Sequence, residues 1–429
     1  MKFLRSLFFS ALLFFLFSFS AKPQQTLHQL IVVSGGAFSN PNDFVSLSAY
    51  YPSTATQNNF GEILNQAVQH AVIDEERLYV TATDSLVVFD LNNYQKLSAI
   101  PISGPRKMFV NGDYLYVSIQ YPEVQNFVRV YNKYSLELIS VISQISGEAA
   151  GMIKFDSKIF VAVPGDWTSL VGKIAILNAS NGSFVEEIDL ESQGIGIHDL
   201  FIYNGNIVTV NRSPWGSDSG ILTFFNPISK QVDHFTFPYT FGKGITIRNN
   251  LLYLVMNNGI GSIDLDTRQV VNSSIVNDPG SANYIYFADV VFDDISSLFY
   301  ATTTDYFSFG AGHVFNLSGT QITDFAAGIS PEALALDFRN ISGLNAQTTQ
   351  LVSVYPNPAQ DRIILKNEST DFISEIQITT MSGKDVYRHL ATNGAAKDAI
   401  ELSNLSSGVY ILVVSFENGK KSRIKFIKK

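Results

Sequence analysis

The sequence predicts an all-β protein: a seven-bladed β-propeller whose first and last strands join, followed by a small Ig-like β-sandwich. Three observations carry this expectation. A short aromatic–aliphatic strand recurs seven times at intervals of 37 to 48 residues. An apolar strand ending in Asp or Asn follows six of the seven, and the repeat stops near residue 345. The composition agrees: 429 residues, 46% hydrophobic and only 16% charged, suffice for a large packed core and exclude a disordered chain. The 33 Phe and 19 Tyr favour strands over helices. A net charge of −9 disfavours nucleic acid as a partner. The absence of cysteine removes disulfides, thiolate metal sites and cysteine nucleophiles.

Residues 1–20 read as a secretory signal peptide. Met1, Lys2 and Arg5 make a positive start, Leu7 to Phe17 an apolar run, and Ser18 and Ser20 the small residues before a cut at Ala21. The run is about half the roughly 20 residues a membrane span needs. No later segment is longer, so the mature chain is expected to be exported without a transmembrane segment.

The repeats occupy residues 21–344. Their first signal is Leu30–Val33, Leu78–Val80, Leu115–Val117, Ile159–Val161, Ile207–Val208, Leu252–Leu254 and Leu298–Tyr300. The second signal is a strand ending at Asp90, Asn132, Asn178, Asn226, Asp264 or Asn316; Tyr50-Tyr51-Pro52 takes this place in the first unit. Asp and Asn suit a turn here because their side chains accept backbone N–H groups two residues on. A third strand precedes the first signal, through tight turns such as Asn111-Gly112, Asp156-Ser157, Asn204-Gly205 and Asn249-Asn250 that tolerate positive φ. Four strands (a, b, c, d) per 40 to 50 residues is the period of a propeller blade. The chain starts at a strand b near Leu30 and has a surplus strand a at Pro331–Phe338. That last strand is expected to complete the first blade and cover otherwise open edges. The pattern resembles the YVTN-repeat propellers of surface-layer-type secreted proteins, a resemblance that implies the fold, while propellers host many functions.

Residues 345–350 read as a polar linker and residues 351–429 as a separate sandwich of about seven short strands, with turns at Ser382-Gly383, Ser407-Gly408 and Asn418-Gly419. Net charge changes from −14 over residues 22–348 (16 basic, 30 acidic) to +3 over residues 349–429 (11 basic, 8 acidic). Tyr355-Pro356-Asn357-Pro358 opens this part, Gly408-Val409-Tyr410 leads into its penultimate strand, and a basic strand, Lys420–Lys429, closes the chain. Together these motifs resemble the C-terminal sorting domain of type IX secretion cargo in Bacteroidota. The resemblance implies passage across the outer membrane by the type IX machinery, with secretion or attachment at the cell surface.

Catalytic motifs are absent. The six His contain no i,i+4 pair, and there is no Gly-x-Ser-x-Gly elbow and no phosphate-binding loop. Asp264-Leu265-Asp266 falls on the recurring c–d turn, and Gly216–Gly220 on a hairpin loop, so structure explains both. No metal and no cofactor is expected.

The long b–c loops are expected at Ser34–Asp43, Gln120–Phe127, Pro164–Gly172, Asn211–Gly220 and Thr302–Gly312. They bring Phe38, Tyr121, Trp167, Trp215, Tyr306, Phe307 and Phe309 to one face, where rigid aromatics make binding anchors. The starts of the a strands reach the same face around the channel, with His70, Arg106, Lys107, His198, Asp199, Lys243, Asp289 and Glu332. The expected function is capture of a small molecule, glycan or protein at the cell surface. Some propellers of the resembled type bind corrinoids, which makes these one ligand class. The alternative is a lactonase- or lyase-like enzyme with its groups at the channel mouth, for which Gly151, Gly244 and Ala333 leave gaps in a calcium site.

Overall fold

The computed structural model describes residues 25–212, 218–340, 352–367, 372–380, 384–390, 399–416 and 421–429. The expected signal peptide and linker, Trp215, and the expected turns at Ser382-Gly383 and Asn418-Gly419 lie outside the described residues. The chain divides into two compact units, one of which is Gln24–Asn340.

In this unit strands pair in sequence order within each sheet, as short hairpins dictate. Five sheets have four strands each, opening with Val68–Asp74, Pro105–Asn111, Met152–Phe155, Ile197–Tyr203 and Thr246–Arg248. The sixth has seven strands, running from Tyr286–Asp293 through Leu298–Thr304, Phe309–Asn316, Gln321–Asn340, Gln25–Gly35 and Val45–Tyr51 to Thr56–Ile63. Gln321–Asn340 is long enough to do two jobs. Its first half pairs with Phe309–Asn316, and its second half with the opposite end of the chain, Leu30↔Leu336 and Val32↔Leu334 among the partners.

The b strands are buried beyond their first residues: Leu78, Tyr79 and Val80, or Leu115, Tyr116 and Val117, have no exposed surface. Sheets pack face to face, so an inner strand has a neighbouring sheet on both sides and reads as a continuous apolar run rather than an alternating one. Tyr79, Leu115, Val117 and Tyr131 thus share one core between adjacent sheets. The outermost strands need no such run; Leu138–Ile142 exposes Leu138, Ile139 and Val141.

The turn chemistry is as the residues dictate. The Oδ1 atoms of Asp90, Asn132, Asn178, Asn226, Asp264 and Asn316 accept the backbone N–H two residues ahead at 2.7–3.0 Å. Positive φ falls on Gly112, Asp156, Asn204, Gly205 and Asn249 in the a–b turns. One expected loop is corrected. Thr302–Gly312 is not a long loop: Leu298–Thr304 and Phe309–Asn316 extend into it, pairing Thr302 with Gly312 and Thr303 with Ala311, so only residues 305–308 turn. Three consecutive β-branched threonines favour that extension.

In the C-terminal part, one sheet pairs Val352–Tyr355, Arg362–Asn367 and Ala399–Glu401. The other orders Asp385–Leu390, Ile373–Thr380, Gly408–Phe416 and Lys421–Lys428. Val352, Ile363 and Ile400 of the first share a core with Ile376, Leu412, Val414 and Phe426 of the second. The motif residues are structural in place. Asn357 donates from Nδ2 to the Lys425 carbonyl (3.1 Å) and accepts the Ile427 N–H (3.0 Å), tying the opening motif to the last strand. The Tyr410 hydroxyl donates to the Ser406 carbonyl at 2.8 Å.

Candidate functional site

The a strands begin at one end of the larger unit, and their first residues do not follow a regular register. Pairing with the b strand slips between Val68 and His70, Pro105 and Met108, Ile197 and Asp199, and Phe287 and Asp289. In a regular strand successive side chains point to opposite faces. A bulge suspends that alternation and re-aims side chains, so Lys107 together with its neighbour Arg106, and His198 together with Asp199, all border the same space. Buried hydroxyls on the b strands satisfy the displaced backbone. Ser118 accepts the Lys107 N–H (2.9 Å) and donates to its carbonyl (3.1 Å). Thr81 donates to the Arg106 carbonyl at 3.2 Å, and Thr302 to the Pro331 carbonyl at 2.6 Å.

Two adjoining cavities result. The inner one, about 200 Å³, is lined by His70, Lys107, His198, Asp199, Lys243, Asp289 and Glu332 among others. The outer one, about 520 Å³, adds Arg106, Arg212, Phe38, Tyr306 and Phe307, and shares Lys107, His198, Lys243 and Glu332 with the inner one. The structure thus gathers all eight channel candidates and three of the loop aromatics. Tyr121 and Trp167 line neither cavity and are 77% and 86% exposed.

The carboxylates are committed. Asp199 holds Lys107 at 2.6 Å and accepts the Leu200 N–H at 3.0 Å. Asp289 accepts the N–H groups of Val290 (3.0 Å) and Leu334 (2.9 Å). Glu332 accepts from the Ser330 hydroxyl at 2.9 Å and lies 3.9 Å from Lys243. Among the described residues no group of His, Asp and Glu is placed to hold a metal ion. Gly151 matters here: a Cβ would stand 2.4 Å from the Asp199 carboxylate, so only glycine lets Asp199 reach Lys107. At Gly244, φ is +79° and a Cβ would meet Val290 at 2.5 Å.

Burial and the surrounding cations act on the basic groups. Burial, reinforced by Lys107, pushes the His70 imidazole down to about 3, and its Nδ1 accepts the Met108 N–H at 3.2 Å. Burial, then Arg212 and Lys107, hold His198 well below its ordinary value. Both rings are therefore neutral at pH 7. Burial lowers Lys243 as well, although Asp289 and Glu332 oppose it. Burial raises Asp289, and Lys243 opposes that.

Arg212 is a further functional candidate, absent from the set the sequence predicts. It directly follows the b strand Asn206–Asn211, and it is the one cation in the five segments expected to be long b–c loops. A lone cation among loops otherwise rich in aromatics is a signal legible in the sequence. Its Nη2 lies 3.3 Å from His198 Nε2, and its buried Nε has no hydrogen-bond partner.

Four-stranded sheets arranged in this way define a propeller-type all-β protein with a pocket where the inner strands begin. Residues 353–429 match the family described as a secretion system C-terminal sorting domain. This assigns type IX export, to the cell surface or into the medium. Residues 36–213 match a domain of unknown function, DUF5074, rather than a YVTN-repeat family. No curated protein matches the chain. Among solved structures, the RRP9 WD40 repeats are 10% identical, with a TM-score of 0.51, covering 71% of this chain and 88% of that one. This likeness concerns the fold alone. PorZ, a surface component of the type IX secretion system of Porphyromonas gingivalis, is 14% identical with a TM-score of 0.47, covering 94% of this chain and 58% of that one. BamB from Moraxella catarrhalis is 11% identical with a TM-score of 0.44, covering 80% of this chain and 95% of that one. No helix among the described residues is long and apolar enough to cross a membrane.

Proposed function

We propose that this protein is an exported binding protein: a closed seven-bladed propeller that captures a ligand in the cavity at its loop face, delivered by an Ig-like sorting domain. The N-terminal twenty residues act as its signal peptide. The observation that carries this reading is convergence. Residues from at least six of the units, distant in sequence, contribute side chains to one cavity of about 520 Å³. Pockets that bind small molecules are concave, with a few polar groups inside and aromatic surface at the edge. Here the polar groups are Arg106, Arg212 and Lys243, and the aromatic edge is Phe38, Tyr306 and Phe307. Trp167 and Tyr121, exposed on neighbouring b–c loops, extend that face for a larger partner such as a glycan or protein.

The seven-bladed count rests on Gln321–Asn340 serving both the last and the first group of four strands. Repeats of this length also keep the resemblance to surface-layer-type propellers, some of which take corrinoids. The reading is tested by ligand pull-down with the purified protein, followed by spectra of isotope-labelled protein with each captured compound. Binding should perturb resonances of Arg106, Lys243 and Tyr306. A compound that binds tightly while leaving these residues unmoved would place the site elsewhere.

A further inference from the structure

The outer cavity carries a charge of its own that differs from the rest of the molecule. Its lining holds four cations, Arg106, Lys107, Arg212 and Lys243, against one carboxylate, Glu332. The chain as a whole carries −9. Lys107 is paired with Asp199 at 2.6 Å, and Lys243 has Glu332 at 3.9 Å. The two guanidiniums are different. Among the described residues neither makes an ion pair; Glu148 and Asp199 favour the charge on Arg106, and Asp199 and Asp289 that on Arg212, only from a longer range. They stand close enough for each charge on Arg106 to disfavour the charge on Arg212. Arg212 in addition buries an Nε–H with no acceptor.

Buried polar groups are hydrogen-bonded in folded proteins, and an orphaned donor next to an unpaired like charge is costly. A fold keeps such an arrangement where something else completes it. A planar fork of N–H donors completes itself on a carboxylate or phosphate. The rest of the lining suggests the body attached to that anion. Phe307 and Phe38 are 84% and 74% exposed at the rim. Tyr306 lies near enough to Arg212 and Glu332 for its phenol to respond to both. An unsubstituted ion would leave this aromatic edge unused.

We propose that the cavity binds an organic anion, with a carboxylate or phosphate head held by Arg106 and Arg212 and a planar body set against Tyr306 and Phe307. This rests on the cavity being the binding site. It goes further in naming the ligand's chemistry and in assigning Arg212 to ligand binding rather than to the fold.

The test uses the full chain, with four probes followed by calorimetry and ligand-detected NMR. Phenyl phosphate and benzoate carry both features, benzamide is the neutral isostere, and inorganic phosphate is the head alone. The two aryl anions are expected to bind at least tenfold more tightly than benzamide, with affinity falling as salt rises. Arg212→Met and Arg106→Gln should each lower aryl-anion affinity at least tenfold. Arg212→Met should also leave the melting temperature of the unliganded protein unchanged or raised, because it removes an orphaned buried donor. Phe307→Ala should weaken phenyl phosphate while leaving inorganic phosphate unaffected. A lowered melting temperature in Arg212→Met with unchanged anion affinity would make Arg212 a structural residue and overturn the assignment. If benzamide binds as well as benzoate and both perturb the cavity, the charge assignment fails while the binding site stands. If none of the four perturbs the cavity, the anion assignment fails; compounds from the pull-down then decide whether the binding site fails with it.

Discussion

The join between the two ends of the repeat region is the most exacting test of the fold. Gln29 on the first strand donates to Asp337 on the last at 2.8 Å, and both are essentially fully buried. Arg339 clamps the same carboxylate from Nε (2.9 Å) and Nη2 (2.8 Å). It also donates to Asn92 Oδ1 (2.9 Å) and the Leu91 carbonyl (3.1 Å) of the following unit. The Tyr94 hydroxyl completes the network on Gln29 Oε1 at 2.6 Å. One carboxylate therefore links three parts of the chain that no local contact would bring together. Asp337→Ala strands the Gln29 amide and most of the Arg339 charge, and loss of one member of a buried pair costs about 3–5 kcal/mol. Unfolding entropy of roughly 2.1 cal/mol/K per residue over this unit converts each kcal/mol into about 1.5 °C. The expected fall in melting temperature is thus about 5–8 °C, read by circular dichroism and checked by urea titration. Asp337→Ala combined with Arg339→Ala should cost less than the sum of the two single changes. The comparison is Asp324→Ala in an exposed pair with His313, expected within about 0.5 kcal/mol of wild type. If Asp337→Ala costs under about 1 kcal/mol, the network does not hold the ends together and the closure argument fails.

Other outcomes follow from the same contacts. Ser118→Ala leaves the Lys107 N–H and carbonyl without their shared partner and should cost about 1–3 kcal/mol in urea unfolding. Acid should weaken the fold early. The folded-state values of His70 and His198 lie below the unfolded value near 6.5, so the unfolded chain binds more protons and stability falls as pH drops below about 6.5. His70 alone accounts for at most about 2 kcal/mol of that loss by pH 5. His70→Gln should flatten the melting-temperature profile between pH 6.5 and 5, and an unchanged slope would contradict its burial as a neutral ring. Trp167→Ala, at a ring 86% exposed, should leave the melting temperature unmoved. Deleting residues 351–429 should hold the protein in the periplasm, followed by cell fractionation; normal surface delivery of that deletion would refute the sorting assignment.

Much of the architecture is determined by sequence alone, because its causes are local. Burial between two sheets demands an unbroken apolar run in each b strand, and a c–d turn needs an Asx side chain to cap its amides. The first leaves a mark at every repeat and the second at six of the seven. The pairing of the two ends follows too, from a surplus strand at one end and a missing one at the other. The mouth of the channel is a different matter. Its residues were nameable as a set, yet which of two neighbours faces the cavity depends on a bulge, and a bulge is a displacement between strands that no single strand encodes. Only the tertiary structure decided that Arg106 and Lys107 both border the space, that Gly151 is bare because Asp199 needs the room, and that Trp167 stands apart from the pocket. It alone also decided that Arg212, an ordinary loop cation in the sequence, makes no ion pair among the described residues, since pairing depends on what the fold brings within about 4 Å and residues far apart in sequence settle that.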